Sequence, residues 1–162
     1  MFWIDIVSRI VHVSTAIVLV GGSVFTLLVL SPALGTLSDD VRRSFSEAIS
    51  GRWKRFIHIG ILLFLVTGFY NYIQAIPNHK GDGLYHALLG IKMLSAFVIF
   101  FIASALVGRS AGMERMRTNR VFWLKLLVLL AAVIVAISGF VKVRGPANSV
   151  PVVPAIAADP AT

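Results

Sequence analysis

Residues 84–107 read LYHALLGIKMLSAFVIFFIASALV, an apolar run in which Lys92 is the one formally charged side chain. An α-helix rises 1.5 Å per residue, so about 20 apolar residues cross a hydrocarbon core of about 30 Å. Three further apolar runs of sufficient length occupy residues 4–30, 56–76 and 121–143. The sequence therefore predicts an all-α integral membrane four-helix bundle, with one domain at 1–145, an interfacial helix at about 39–50 and a flexible tail at 146–162.

The composition narrows the classes of protein and of site. Hydrophobic residues make up 57% of the chain and charged residues 14%, with a mean hydropathy of +0.88, which is incompatible with an ordinary soluble domain. The absence of cysteine excludes disulfides, zinc–thiolate sites and iron–sulfur clusters. The net charge of +8 comes from basic residues beside the apolar runs rather than on a soluble face, so we expect a lipid bilayer as partner and no nucleic acid.

The basic residues also predict an orientation. They concentrate between the first and second runs and between the third and fourth, and loops rich in Lys and Arg stay on the cytoplasmic side. Both termini then lie outside, in a multi-pass protein of a bacterial-type inner (plasma) membrane, although Lys142 and Arg144 oppose this orientation. The residues that favour it are Arg42, Arg43, Arg52, Lys54, Arg55, Arg109, Arg115, Arg117 and Arg120.

Polar residues concentrate in the outer half of the predicted bundle. His12 lies roughly 13 Å in from Trp3, and Lys92 roughly 12 Å in from Leu84, so both can occupy one level. Helical spacing places polar side chains on one stripe of each of the first two helices. These stripes are Asp5, Ser8, His12 and Thr15 on the first helix and Thr67, Asn71 and Gln74 on the second.

His12 and Lys92 are the main candidates for function, because ionisable side chains inside a membrane are expensive. A histidine that is hydrogen-bonded to Asn71 or Thr67 would also be satisfied without any ligand. Lys92 has two interpretations as well: a charge partner for a ligand, or a side chain that extends along its helix toward the interface. Met93 matches the depth of His12, so a His/Met ligand pair is geometrically allowed.

Several short motifs resemble those of the HemJ-type protoporphyrinogen oxidases and the CopD-type copper-resistance membrane domains. The likeness extends over most of the chain to about Arg144, although Asn119-Arg120-Val121 stands where the HemJ proteins have Asn-Glu and a proline. The motifs are His12 followed by Gly21-Gly22 and Pro32, then Arg52-Trp53-Lys54-Arg55-Phe56 leading into Thr67-Gly68-Phe69, Gly90-Ile91-Lys92-Met93, and Val141-Lys142-Val143.

This resemblance implies a four-helix bundle with a haem b or copper site that uses His12. The leading hypothesis is a haem b protein with a redox role and His12 as an axial ligand, in which Met93, deprotonated Lys92 or nothing is the second ligand. Lys92 and Lys142 would pair with propionates, and Asn71 would complete the cofactor-binding set. Oxidation of a porphyrinogen, with a porphyrin or quinone-type electron partner, is the enzyme activity that the HemJ likeness implies.

Two alternatives remain open. In a CopD-like protein, His12, Met93 and His86 would bind copper, since imidazole and thioether ligands suit Cu(I). The third hypothesis is a non-catalytic subunit of a membrane complex or a homo-oligomer, in which the polar layer serves only helix packing.

Overall fold

The computed structural model describes residues 2–108 and 110–145, apart from the side chain of Asn78. Within these ranges the chain is helical and contains no strand, as the sequence predicts. The predicted tail at 146–162 lies outside the described residues. In chain order the helices are α1 (Phe2–Phe25), a π-helix (Thr26–Leu30), α2 (Ser31–Leu34), α3 (Asp39–Ala75), a 3-10 turn (Ile76–His79), α4 (Gly83–Val107), a second 3-10 turn (Ala111–Met113), α5 (Glu114–Thr118) and α6 (Arg120–Arg144).

Four helical segments are long and apolar enough to cross a membrane: Phe2–Leu34, Asp39–Ala75, Gly83–Val107 and Arg120–Arg144. The second is the longest, and its 37 residues extend about 55 Å at the rise of an α-helix. Residues 39–50, where the sequence predicts an interfacial helix, form its first part, and the helix continues without a break into the apolar segment. About 25 Å of α3 therefore exceeds the thickness of a hydrocarbon core.

The bundle has two distinct ends. We call the end where α1 begins and α6 finishes the terminal end, and the end where α3 and α6 begin the basic end. α1 packs mainly against α3 and α4 mainly against α6, whereas these two pairs contact each other less extensively. The best-buried apolar cluster, formed by Ile102, Leu106, Leu124 and Leu127, lies between α4 and α6.

Large apolar side chains cover the outside of the bundle. Ile17, Leu94 and Leu129 are 67%, 68% and 62% exposed, although each lies in the middle of a long helix. In water such a surface would be unfavourable, because burial of apolar area drives folding. Against lipid tails the same surface carries no such cost, so the fold has the outside of a membrane protein.

The π-helix in the first segment has a local cause. Pro32 lacks a backbone N–H and its ring conflicts with the carbonyl one turn earlier, so an unmodified α-helix cannot run through it. Thr26–Leu30, which end two residues before Pro32, adopt the wider π turn, and Ser31 Oγ donates a hydrogen bond of 2.7 Å to the Thr26 carbonyl oxygen. Such one-turn π segments occur mostly as bulges inside α-helices.

Candidate functional site

Polar side chains join α1 to α3 in the half of the bundle nearer the terminal end. Three hydrogen bonds join the described side chains of the two helices, and on α1 their residues are about one helical turn apart. The two stripes that the sequence predicts therefore face one another. We call this row of side chains the α1–α3 seam; it consists of Asp5, Ser8 and His12 on α1 and Thr67, Tyr70 and Asn71 on α3.

His12 and Thr67 form the deepest hydrogen bond of the α1–α3 seam. Thr67 Oγ1 donates its only hydrogen to the Leu63 carbonyl oxygen at 2.6 Å, so the same oxygen can only accept from a second partner. His12 Nδ1 lies 2.9 Å from Thr67 Oγ1 and must be the donor. The neutral ring is thereby fixed with its hydrogen on Nδ1, and the lone pair of Nε2 is left for another ligand.

Neighbouring rings and a glycine hold the His12 imidazole in place. Phe64 contacts it edge-on, with ring centroids 4.6 Å apart and planes at 82°, and Phe100 of α4 lies 5.8 Å from Phe64. A Cβ at Gly68 would lie 3.4 Å from His12 Cε1, so the glycine lets α3 approach the ring closely. His12 thus sits in a fitted position on the side of the seam that leads toward α4.

The two other hydrogen bonds of the seam lie closer to the terminal end. Ser8 Oγ donates to Asn71 Oδ1 at 3.3 Å, which places Asn71 one turn away from the His12 contact. Tyr70 OH donates to Asp5 Oδ1 at 2.6 Å and accepts from Gln74 Nε2 at 3.1 Å. The sequence analysis did not identify Tyr70. The signal available was an acid on α1 and a phenol on α3 toward the same end of the bundle, where the two can form a hydrogen bond.

Lys92 lies on α4, half-buried, and close enough to His12 for its charge to act on the imidazole. Within the described part of the chain its ammonium group has no hydrogen-bond or carboxylate partner. An ammonium group in such a position normally requires an opposite charge. Met93 is half-buried beside it on the same helix.

Two other predicted site residues lie on the surface. Lys142 is exposed near the end of α6. His86 is exposed too, and the ring it contacts is that of Tyr85, with centroids 5.6 Å apart. Over residues 2–108 and 110–145, no group of three or more His, Asp or Glu side chains is placed to hold a metal ion. Among the described side chains, neither Lys142 nor His86 contacts His12.

A buried ion pair at the terminal end was not predicted from the sequence. Arg144 Nη1 donates to both carboxylate oxygens of Asp82, at 3.1 and 2.9 Å, and the Asp82 side chain is only 5% exposed. Asp82 also caps α4, because its Oδ1 accepts from the backbone N–H of Tyr85 at 3.1 Å. The pair fastens the end of α6 to the start of α4.

A groove of about 410 Å³ runs along the outside of the α1–α3 seam. Its walls are largely apolar and include Trp3, Val7 and Val66, while Ser8 and Thr67 of the seam also line it. Its volume falls in the range of small-molecule sites, about 300–1,000 Å³. An apolar molecule dissolved in the bilayer would therefore reach the seam from this side.

Comparisons of the chain with protein-family models, with curated proteins and with solved structures give no significant match. The resemblance to the HemJ-type and CopD-type proteins therefore stays a prediction from the motifs.

Proposed function

We propose that the chain is a membrane-embedded haem b protein with a redox role, in which His12 is an axial ligand through Nε2. The observation that carries this proposal is the hydrogen bond from His12 Nδ1 to Thr67 Oγ1. Metal-binding histidines almost always donate their second ring N–H to a fixed acceptor, which sets both the tautomer and the orientation of the ring. Thr67 is such an acceptor, because its own hydrogen is bound by the Leu63 carbonyl.

The charges near His12 also suit haem b. Lys92 lies on the opposite helix pair, its charge acts on the His12 imidazole, and it has no carboxylate partner among the described residues. A propionate would supply the missing opposite charge, and Lys92 would orient it electrostatically. Haem b supplies one-electron redox chemistry when bound, with a potential set by the axial ligand and by burial. Met93 remains the proposed second ligand.

The proposed reaction partner is a lipid-soluble molecule of the quinone or porphyrin class. The apolar groove along the α1–α3 seam supports this, since it opens on the lipid-facing side and Thr67 lines it. His12 contacts Thr67 from within the bundle, so a molecule in the groove would lie one residue away from the proposed iron ligand. Short separations of this kind favour electron transfer between the partner and the haem.

We also propose that the basic end faces the cytoplasm of a bacterial-type cell and that the site lies in the outer half of the bundle. The support is the concentration of Lys and Arg at that end. Among the described residues, Arg42, Arg43 and Arg115 are exposed there.

The reduced-minus-oxidised spectrum of the purified protein in detergent, combined with metal analysis, tests the haem proposal. We expect sharp haem bands in the unmodified protein, loss of most of the haem in His12→Ala, and partial recovery when imidazole is added to that variant. His58→Ala is the matched control, because His58 is exposed and its Nδ1 already hydrogen-bonds the Lys54 carbonyl at 2.7 Å.

The proposal fails if His12→Ala retains the bands at full intensity or if the unmodified protein contains no haem. Copper in a stoichiometric amount without haem would favour the CopD-like function instead. A protein with neither group would favour a structural subunit, in which the α1–α3 seam serves helix packing.

A further inference from the structure

A second polar cluster lies at the basic end, away from His12. A small cavity of about 20 Å³ lies there. Ser23 of α1, Thr26 of the π-helix, Trp53 of α3 and Arg120 of α6 line it, together with apolar side chains. Ser23 lies 11 residues beyond His12 on the same helix, about 16 Å along the axis, so the cavity is separate from the α1–α3 seam.

Arg120 brings an unsatisfied donor to this cavity. Its Nε is fully buried and has no hydrogen-bond partner within the described ranges. A buried N–H of a charged group that lacks an acceptor loses its hydration without compensation, so native structures rarely leave one in this state. The cavity that Arg120 lines is the place where an acceptor would fit.

The two hydroxyl groups that line the cavity differ from Arg120, because their hydrogens are already used in hydrogen bonds. Ser23 Oγ donates to the Leu19 carbonyl at 2.8 Å, and Thr26 Oγ1 donates to the Gly22 carbonyl at 2.7 Å. Each hydroxyl has only one hydrogen, so each oxygen can only accept from a further partner. An occupant that satisfies both kinds of group accepts from Arg120 and donates to Ser23 or Thr26, which a fully deprotonated anion cannot do.

We propose that this cavity is a binding site for one ordered water molecule. The water accepts from Arg120 Nε–H and donates to the hydroxyl oxygens of Ser23 and Thr26. The volume suits it, since a buried water needs about 10–15 Å³ by the same measure and typically makes about three hydrogen bonds. The water links the start of α6 to the π-helix at the basic end of the bundle, beside Trp53.

A crystal structure at a resolution that shows ordered solvent tests the proposal directly, with crystals grown in bromide. We expect one solvent peak within hydrogen-bond distance of Arg120 Nε and of at least one of the two hydroxyl oxygens, without anomalous scattering. An anomalous bromide peak in the cavity would replace water by an anion and overturn the proposal. A cavity without density, or Arg120 Nε paired with a protein group, would overturn it as well.

Paired variants give a second test in detergent. Arg120→Met keeps an unbranched apolar stem but removes the guanidinium with its Nε–H, and we expect its unfolding midpoint to fall by about 3 °C. Thr26→Val should lower the midpoint by less in the Arg120→Met background than in the unmodified protein, because both changes disrupt the same water. Strictly additive shifts contradict the bridge. Arg115→Met is the control, since Arg115 is exposed at the same end and should leave the midpoint unchanged.

Discussion

Two adjacent glycines on α1 have opposite surroundings. A Cβ at Gly22 would overlap the indole ring of Trp53, whereas a Cβ at Gly21 would meet no atom within 4 Å. Gly22→Ala should therefore force α1 and α3 apart and destabilise the fold by about 1–3 kcal/mol, as overpacking of a close contact does. Gly21→Ala should be neutral or stabilising by about 0.5–1 kcal/mol, because alanine favours the helix more than glycine does.

Thermal unfolding of the two alanine variants in one detergent separates these outcomes. A lower midpoint for Gly22→Ala alone is the expected result. Equal midpoints for both variants would mean that Trp53 does not lie against Gly22. The comparison depends on no cofactor, so it tests the packing of α1 on α3 independently of the proposed function.

Thr67 acts on the proposed site through His12. Thr67→Val keeps the branched shape but removes the oxygen that accepts from His12 Nδ1. The imidazole would then lose both its fixed tautomer and its orientation, and loss of such a supporting contact typically weakens metal binding about 10–100-fold. Haem titration of the purified variant measures this, and Thr67→Ser, which retains the hydroxyl, should bind nearly as well as the unmodified protein. Unchanged haem affinity in Thr67→Val would contradict the positioning role.

At the scale of the helices, the ion pair of Asp82 and Arg144 fastens α4 to α6. Arg144→Gln removes a guanidinium that donates to a carboxylate only 5% exposed, and removal of one partner from a buried pair costs about 3–5 kcal/mol. Asp82→Asn should cost less, because asparagine also caps helices and because Arg144, which is 30% exposed, can reach solvent.

The pair of Arg42 and Asp39 provides the matched control. Its side chains are 51% and 86% exposed, and exposed pairs contribute about 0–1 kcal/mol. Arg42→Gln should therefore leave the unfolding midpoint almost unchanged. Equal losses in Arg42→Gln and Arg144→Gln would show that burial does not distinguish the two pairs.

The helices could be predicted from the sequence, but their register relative to one another could not. Hydropathy summed over about 20 residues is a strong signal, and the run at 84–107 corresponds to α4 (Gly83–Val107). The sequence left His12 with two hydrogen-bond candidates, Thr67 and Asn71, since both lie on one stripe of α3. One helical turn separates them, and apolar periodicity cannot fix that register because the lipid-facing side is apolar as well.

Contacts between distant residues were missed for a related reason. Asp82 and Arg144 are 62 residues apart, and nothing in the spacing of either links it to the other. The sequence indicates that polar residues concentrate in the other half of the bundle, and nothing in it links Arg120 to Thr26, which line one cavity at the basic end. Arg120 was counted among the loop residues that set orientation, and only the packing of α6 against α1 reveals its buried Nε.

The whole molecule joins two closely packed helix pairs through a less extensive contact. His12 belongs to one pair and Lys92 to the other, and the charge of Lys92 acts on the His12 imidazole across the boundary between the pairs. A planar cofactor between helices requires such a boundary, because closely packed cores leave few voids larger than a water molecule. We therefore propose the boundary between the pairs, with His12 on one side and Lys92 on the other, as the location of the haem.

The absence of cysteine allows a clean test of how this bundle crosses the membrane. Ser50 on α3 and Gly112 after α4 are exposed at the basic end, and Lys80 is exposed at the terminal end. In spheroplasts, a membrane-impermeant maleimide should label Lys80→Cys at once, but Ser50→Cys and Gly112→Cys only after the membrane is permeabilised. Leu94→Cys should resist labelling throughout, since its side chain faces lipid and a thiol reacts as the thiolate, which forms in water.

Two outcomes would contradict this topology. Labelling of Ser50→Cys and Gly112→Cys alone in intact spheroplasts would invert the proposed orientation. Labelling of Lys80→Cys together with Ser50→Cys would mean that α3 does not cross the membrane between these two residues.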